Sequence, residues 1–190
     1  MRVLYTYLFP AMWLTYLAYW QAMATSVKAS SRHEPILSRL LRMILMCCAI
    51  VLLWIPRIRL GALDRRLFPP GVWSFWAGAV ITVAGLLFSV WARRHLGKNW
   101  SQEVTVKEGH ELITSGPYAL VRHPIYTGLL AALAGTALSL GEWRGLLAVA
   151  LVFIVLWRKL RLEETWMRDH FGDSYATYCQ RVARLVPYAF

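Results

Sequence analysis

The chain has 190 residues, of which 58% are apolar and only 16% are charged, and its mean hydropathy is +0.44. A domain of this size needs a polar surface to stay in water, so the composition argues against a water-soluble enzyme, a disordered regulator and a disulfide scaffold. The formal net charge is +11. Because the basic residues lie between long apolar runs and form no single stripe with aromatic residues, we expect a membrane protein and no nucleic-acid partner.

The three cysteines predict neither disulfides nor a metal site. Cys47 and Cys48 are adjacent within an apolar run, and Cys179 lies alone near the end of the chain. None of them has the spacing of metal ligands. We interpret them as small apolar side chains and expect no bound metal.

Five apolar runs approach the roughly 20 residues that are needed to cross a bilayer. We therefore predict an all-α integral membrane protein, a single domain over residues 1–190, with about five transmembrane helices. The first three spans fill residues 1–92. Small residues dominate the fourth run, so we expect close packing against the third or the fifth run. The runs are Val3–Ala24, Leu40–Pro56, Val72–Ala92, Pro124–Leu140 and Trp143–Trp157.

The distribution of basic residues predicts the orientation. With the amino terminus outside, 15 of the 21 Lys and Arg residues fall in inner segments and 6 in outer segments. The polar segments 93–123 and 158–190 then both face the cytoplasm. In the second segment, apolar residues recur at helical spacing with a break at Gly172, which predicts a cytoplasmic amphipathic tail of two helices.

A first polar cluster lies at the predicted start of the fourth span, in the sequence GPYALVRHPIYTG at residues 116–128. Pro124 fits the first turn of a helix, whose free N–H groups favour an anionic ligand. Arg122 and His123 immediately precede it. They can hold such a group, or they can simply anchor the helix end at the lipid headgroups.

A second cluster, RKLRLEE at residues 158–164, follows the fifth run directly. Three cations at the inner end of a helix are ordinary topology signals. The pair Glu163 and Glu164 is less ordinary at a membrane boundary. It suggests a ligand cation, a ribose hydroxyl or an intramolecular partner such as Arg122.

These clusters carry a family resemblance. The sequences GPYALVRHPIYTG, EETWMRDHFGDSYATY and the closing RLVPY resemble the isoprenylcysteine carboxyl methyltransferase family and its bacterial relatives, and the same core is similar to phospholipid N-methyltransferases. An upstream HLGKNWS also looks like this family. The resemblance covers roughly residues 93–187, which we take as the catalytic core. It implies a membrane methyltransferase that uses S-adenosylmethionine without a Rossmann fold and releases S-adenosylhomocysteine. The lack of a strand-GxGxxG-helix unit agrees with it.

The resemblance also implies roles for matched residues. Arg122 would face the reacting group of the substrate, and either Arg158 or Lys159 corresponds to a substrate-facing arginine of the family. Glu164 would close the cofactor site from the tail. The roles of His95 and His110 stay open. The residues expected to bind the cofactor are Gly116, Tyr118, Val121, His123, Tyr126, Gly128, Glu163 and Glu164.

We therefore expect methyl transfer to a lipophilic, membrane-embedded acceptor, with a carboxylate favoured. A carboxylate needs no base and only a cation such as Arg122 to orient it, whereas an amine must lose a proton to Glu164 or His123. The alternatives are a phospholipid amine N-methyltransferase, an NADPH-dependent membrane reductase and a non-catalytic scaffold. The expected partners are membrane lipids and a lipophilic or lipidated substrate, at a bacterial inner membrane with the site facing the cytoplasm. The pattern fixes neither the acceptor nor the oligomeric state.

Overall fold

The computed structural model describes residues 2–24, 36–55, 59–69, 71–97 and 112–189. Within these ranges the chain is helical and contains no strand, which confirms the all-α prediction. Two short 3-10 turns accompany the α-helices, at Gly61–Asp64 and Gly116–Ala119. The helices are α1 (Arg2–Ala24), α2 (Ile36–Trp54), α3 (Val72–Leu96), α4 (Pro124–Leu140), α5 (Trp143–Phe171) and α6 (Asp173–Arg181).

The five long helices run alternately up and down. The Tyr5 hydroxyl at the start of α1 donates a hydrogen bond to the Leu53 carbonyl at the end of α2, 3.2 Å away, so these helices are antiparallel. The Tyr16 hydroxyl in α1 lies 2.9 Å from the Ser89 hydroxyl in α3. The ends of α1 and α3, the start of α4 and the end of α5 therefore share one end of the bundle.

Helices α3 and α4 touch through glycines. Gly78 faces Gly135 and Gly85 faces Gly128, and a Cβ atom built on Gly85 would lie 2.5 Å from the Gly128 carbonyl oxygen. The two glycines of each helix are seven residues apart, so they lie on one face two turns from each other. Small residues let helix backbones approach closely. The fourth apolar run thus packs against the third, one of the two predicted partners.

The surface of the helices is apolar. Among the described residues, Leu14, Val80 and Leu87 are exposed, whereas the polar Thr82 and Thr136 are fully buried. A water-soluble protein shows the opposite pattern. Helix α3 is long and apolar enough to cross a membrane by length and composition. These features fit membrane association.

The prediction of five transmembrane helices is not confirmed. Among the described residues, α3 alone meets both the length and the hydropathy criteria, and Met43–Trp54 and Pro124–Leu140 are shorter apolar helices. The 17 residues of α4 span about 26 Å, less than the roughly 30 Å of a hydrocarbon core.

The first of the two predicted tail helices is a continuation of the fifth apolar run. Helix α5 continues without a break for 29 residues. Residues 158–171 contain strong helix formers and neither glycine nor proline, so nothing ends the helix at the polar boundary. It ends at Gly172, whose φ of +51° favours glycine. The predicted break at this glycine is confirmed, and α6 begins beyond it.

Candidate active site

The polar segment at the start of α4 is paired with the tail of the chain. Val121 and Ala183 form an isolated parallel bridge. We call residues Val182–Leu185 the strap. Each of its four consecutive carbonyl oxygens accepts a hydrogen bond from residues 122–127. The donors are the Arg122 guanidinium to Val182, the Arg122 backbone N–H to Ala183 (2.8 Å), the His123 backbone N–H to Arg184 (3.0 Å) and the Thr127 hydroxyl to Leu185 (2.7 Å).

Glu164 ties these two segments to α5. Its Oε1 atom accepts hydrogen bonds from Arg122 Nε and Nη2 at 3.0 and 2.9 Å, and its Oε2 atom accepts one from Arg184 Nε at 3.0 Å. The Glu164 and Arg122 side chains are only 3% and 7% exposed. Of the partners considered for the glutamate pair, the intramolecular one is therefore present, and it is Glu164 that pairs with Arg122.

Glu163 belongs to a second, more open group of side chains. Its Oε1 atom accepts a hydrogen bond from the Tyr126 hydroxyl at 2.5 Å and lies 3.8 Å from Lys159 Nζ. The Lys159 ammonium also lies over the Tyr126 ring, 5.7 Å from its centre. The side chains of Glu163 and Lys159 are 23% and 19% exposed. They keep surface that a ligand can reach.

His123 joins the two carboxylates. Its Nδ1 atom lies 3.5 Å from Glu163 Oε2 and its Nε2 atom 3.4 Å from Glu164 Oε1, while its ring stacks on Tyr126. Burial favours the neutral ring, but contacts with the two carboxylates outweigh burial and raise the pKa of His123 above its usual value. Both ring nitrogens face acceptors, which suits the doubly protonated imidazolium.

The pKa values of the two glutamate carboxyl groups shift in the opposite direction. Burial raises the pKa of Glu164, but His123 and Arg122 outweigh burial and lower it to about 2. Burial also raises the pKa of Glu163, and His123 and Lys159 again lower it overall. Both glutamates are therefore ionised at neutral pH. With His123 protonated, two carboxylates face the cations of Arg122, His123, Lys159 and Arg184, which leaves a positive surplus.

Several predicted site residues lie outside this cluster. Gly128 packs against Gly85 of α3. The Tyr118 carbonyl accepts a hydrogen bond from the Tyr178 hydroxyl at 2.6 Å, and Arg158 is exposed. The cluster itself unites five of the predicted residues, which are Arg122, His123, Tyr126, Glu163 and Glu164.

Two further residues of the predicted set support the segment before α4. Val121 is fully buried at its bridge with the strap. Gly116 has a φ of +58° and lies against the ring of His95. The His95 Nε2 atom lies 2.9 Å from the Ser115 hydroxyl. His110 lies outside the described residues.

Sequence reasoning missed Arg184 and Thr127. Arg184 opens the RLVPY sequence, and in the structure its guanidinium contacts Glu164 and lies 5.6 Å from the centre of the Trp157 ring. Thr127 lies inside the GPYALVRHPIYTG motif, within the predicted fourth span. Both residues lie in sequences that resemble the family, which is a signal for a role in the site. No hydrophobic periodicity in the sequence, however, indicates that the tail lies beside α4.

Comparisons with known proteins agree on one family. Residues 73–174 match a family model described as "Phospholipid methyltransferase". Protein-S-isoprenylcysteine O-methyltransferase B of Arabidopsis thaliana is 30% identical over 131 residues, 64% of this chain and 65% of that protein. The Schizosaccharomyces pombe protein-S-isoprenylcysteine O-methyltransferase is 35% identical over 97 residues, 48% of this chain and 40% of that protein.

A bacterial relative carries a different name. Methanethiol S-methyltransferase 1 of Bradyrhizobium diazoefficiens is 40% identical over 72 residues, which cover 37% of this chain and 24% of that protein. The chain thus spans less than two thirds of the length of each of these three relatives. The matched family region contains the site residues of α4 and α5 but not the strap.

Proposed function

The chain belongs to the phospholipid methyltransferase family, and on that premise we propose that it is a membrane enzyme that transfers a methyl group from S-adenosylmethionine to a lipophilic acceptor. One observation carries the proposal. Glu163 and Glu164 lie with His123, within ion-pair distance, at one end of a bundle whose outer surface is apolar. Buried ionisable groups at a membrane boundary are costly, and they occur where a function requires them.

The residues of the cluster fit the chemical groups of S-adenosylmethionine. The Glu163 carboxylate is complementary to its ammonium group, its ribose hydroxyls and its sulfonium charge. The Lys159 ammonium is complementary to its carboxylate. Glu163 and Lys159 carry opposite charges, and both keep accessible surface, at 23% and 19% exposure. When bound, the cofactor supplies a methyl group on a positively charged sulfur.

The protein's contribution to such a reaction is to align the reactants and to exclude water from the site. A methyl transfer by in-line displacement requires two reactants to be aligned in a site from which water is excluded. Tyr126 and His123 hold Glu163 on one side, and Arg122 and Arg184 hold Glu164 on the other. We propose that Arg122 and Glu164 shape the site, while Glu163, Lys159, His123 and Tyr126 face the ligands.

The electrostatics favour a carboxylate acceptor. The positive surplus of the cluster attracts an anionic group and repels a protonated amine. An amine must also lose a proton, yet the pKa of Glu164 is about 2 and that of Glu163 is lowered, so neither carboxylate is a strong base. A carboxylate needs no base and requires only a cation beside it.

We place the site at the cytoplasmic face of the membrane, and for this chain at a bacterial inner membrane. The excess of Lys and Arg in segments 93–123 and 158–190 supports this orientation. The site lies at the end of the bundle where these two segments meet. A water-soluble methyl donor is then supplied from the same side.

The test is methyl transfer by the full-length protein in lipid nanodiscs with methyl-labelled S-adenosylmethionine. Parallel reactions offer an S-isoprenyl cysteine with a free carboxylate, the same compound as its amide, phosphatidylethanolamine and methanethiol. A carboxyl methyl ester releases labelled methanol in alkali, whereas N-methyl and S-methyl products do not. We expect alkali-labile label with the free carboxylate and none with its amide.

Cofactor binding separates the remaining alternatives. We expect saturable binding of S-adenosylhomocysteine in calorimetry and none of NADPH. Alkali-stable label on phosphatidylethanolamine or on methanethiol would support methyltransferase activity but contradict the proposal of a carboxylate acceptor. Binding of NADPH alone would support a reductase, and binding of neither compound would support a scaffold.

A further inference from the structure

The strap is fastened by residues other than Glu163, Lys159 and Tyr126, which form the more open group. Its four carbonyl oxygens are all used by the segment from Arg122 to Thr127. A parallel pair of segments this short has little intrinsic stability, so it depends on additional contacts. Besides the Arg122 guanidinium, the side chains of Thr127 and Arg184 supply them.

Thr127 connects the first turn of α4 to the far end of the strap. Its hydroxyl donates to the Leu185 carbonyl at 2.7 Å and also lies 3.2 Å from the His123 carbonyl oxygen. The backbone N–H of Thr127 donates to the same His123 carbonyl at 3.0 Å. Through these bonds the hydroxyl fixes the strap relative to the residue that carries the imidazole.

Arg184 connects the strap to α5. Its Nε atom donates to Glu164 Oε2 at 3.0 Å, and its guanidinium lies 5.6 Å from the centre of the Trp157 ring. Glu164 in turn holds Arg122 through its other oxygen. Release of Arg184 therefore loosens the carboxylate that fixes both Arg122 and one side of His123.

We propose that Thr127 and Arg184 are positioning residues that fasten the strap, and that a fastened strap keeps His123 and Glu163 in the arrangement that binds the methyl donor. Their side chains bond to the protein itself, Thr127 to the Leu185 and His123 carbonyls and Arg184 to the Glu164 carboxylate. The inference rests on the proposed function for the identity of the ligand. It follows that ligand binding and closure of the strap stabilise each other, because a coupling between two sites acts in both directions.

The experiment compares the full-length wild type with Thr127→Val, Thr127→Ser and Arg184→Gln. Valine has the shape of threonine and lacks only the hydroxyl, and serine returns it. Thr165→Val is the matched control, since Thr165 is exposed on α5 and its hydroxyl donates to the Arg161 carbonyl of the same helix. The probe is S-adenosylhomocysteine. The readouts are its Kd, the KM for S-adenosylmethionine beside kcat, and hydrogen exchange of the Arg122 and His123 amides.

We expect Thr127→Val and Arg184→Gln to raise Kd and KM by roughly 3- to 10-fold, the effect of one lost hydrogen bond, with kcat changed less than the KM. Both variants should speed exchange of the two amides, and S-adenosylhomocysteine should slow it in the wild type. Thr127→Ser should behave like the wild type, and so should Thr165→Val.

The outcomes separate the two proposals. Faster amide exchange in the variants with an unchanged Kd would overturn the positioning role of Thr127 and Arg184. The proposed methyltransferase function would not be affected by that result. Unchanged exchange in both variants would overturn the fastening itself. A wild type that does not bind S-adenosylhomocysteine would overturn the proposed function, and the coupling with it.

Discussion

At the scale of single residues, the structure separates two adjacent cations that the sequence left as alternatives. Lys159 lies 3.8 Å from Glu163 and over the Tyr126 ring, whereas Arg158 is exposed. We predict that Lys159→Met lowers kcat/KM by roughly 10- to 100-fold, as expected for the loss of one charged hydrogen-bonding group. The measurement is turnover of labelled S-adenosylmethionine with the acceptor that the wild type methylates.

Arg158→Met is the matched control for this prediction. It removes the same charge one residue earlier on the same helix, so it changes the net charge equally without entering the cluster. We expect nearly normal kcat/KM. An equal loss in both variants would indicate a general charge effect, and a loss in Arg158→Met alone would restore Arg158 as the substrate-facing residue.

His123 gives the protein a pH-dependent stability. Its pKa is raised above 6.5, so its contribution is complete below about pH 6.5 and is lost as the pH rises through the raised value. The pKa values of Glu163 and Glu164 are lowered from 4.5, so their contribution is complete above about pH 4.5 and is lost in acid. We predict the highest thermal stability between these two values.

The variant His123→Gln tests the alkaline side of this profile. The decline in Tm above pH 6.5 should flatten in this variant, because the titrating group is gone. His170→Gln is the control, since His170 is exposed at the end of α5, and it should keep the wild-type profile. A decline that persists unchanged in His123→Gln would assign it to another group.

At the scale of elements, the contact between α3 and α4 sets the frame on which the site is built. A Cβ atom at Gly85 would lie 2.5 Å from the Gly128 carbonyl oxygen and 2.6 Å from the Ala132 backbone nitrogen. Backbone atoms cannot rotate away, so the two helices must separate. We predict that Gly85→Ala lowers the free energy of unfolding by about 1–3 kcal/mol, the usual cost of overpacking.

Thermal denaturation of the purified protein in detergent measures this loss. The control is Gly71→Ala, because a Cβ atom there lies 3.7 Å from the nearest atom and the φ of −134° is open to any residue. An equally large loss of Tm in the control would show that the cost is one of glycine flexibility and not of helix contact.

The elements that sequence alone predicted are those with local causes. Pro124 and Gly172 mark the start of α4 and the end of α5, because each changes the backbone at its own position. The sequence does not predict the length of α5, because a change from apolar to charged residues marks the end of an apolar run and not the end of a helix. The charged residues that follow the apolar run also have high helix propensity, so the helix continues.

The sequence indicated most members of the site and one of its pairs, that of Arg122 with the glutamates. The motif indicated Arg122, His123, Tyr126 and the two glutamates. It could not show that Glu164 is shared by two arginines, because Arg122 and Arg184 lie 42 and 20 residues from it in sequence. Such pairing is decided by how α4, α5 and the strap pack.

At the scale of the whole molecule, the two ends of the bundle carry different kinds of charge cluster. The methyl-transfer site proposed here lies at one end. At the other end, Arg144 at the start of α5 lies 2.7 Å from Glu142 and 3.9 Å from Asp64, and Glu142 forms a backbone bridge with Arg66. This second cluster connects loops, and it lies on the side that the basic residues of the sequence assign to the outside.

This assignment predicts the labelling of single cysteines from each side of the membrane. In a background with Cys47, Cys48 and Cys179 replaced by alanine, Ala62→Cys and Ser174→Cys each place one thiol at an exposed position. Ala62 lies in the turn beside Asp64, and Ser174 in the first turn of α6. A membrane-impermeant maleimide should label Ala62→Cys on intact spheroplasts and Ser174→Cys only after permeabilisation, because the 15 inner and 6 outer basic residues favour that orientation. Labelling of both thiols on intact spheroplasts would contradict a membrane-crossing bundle, and labelling of Ser174→Cys alone would invert it and place the site away from the cytoplasm.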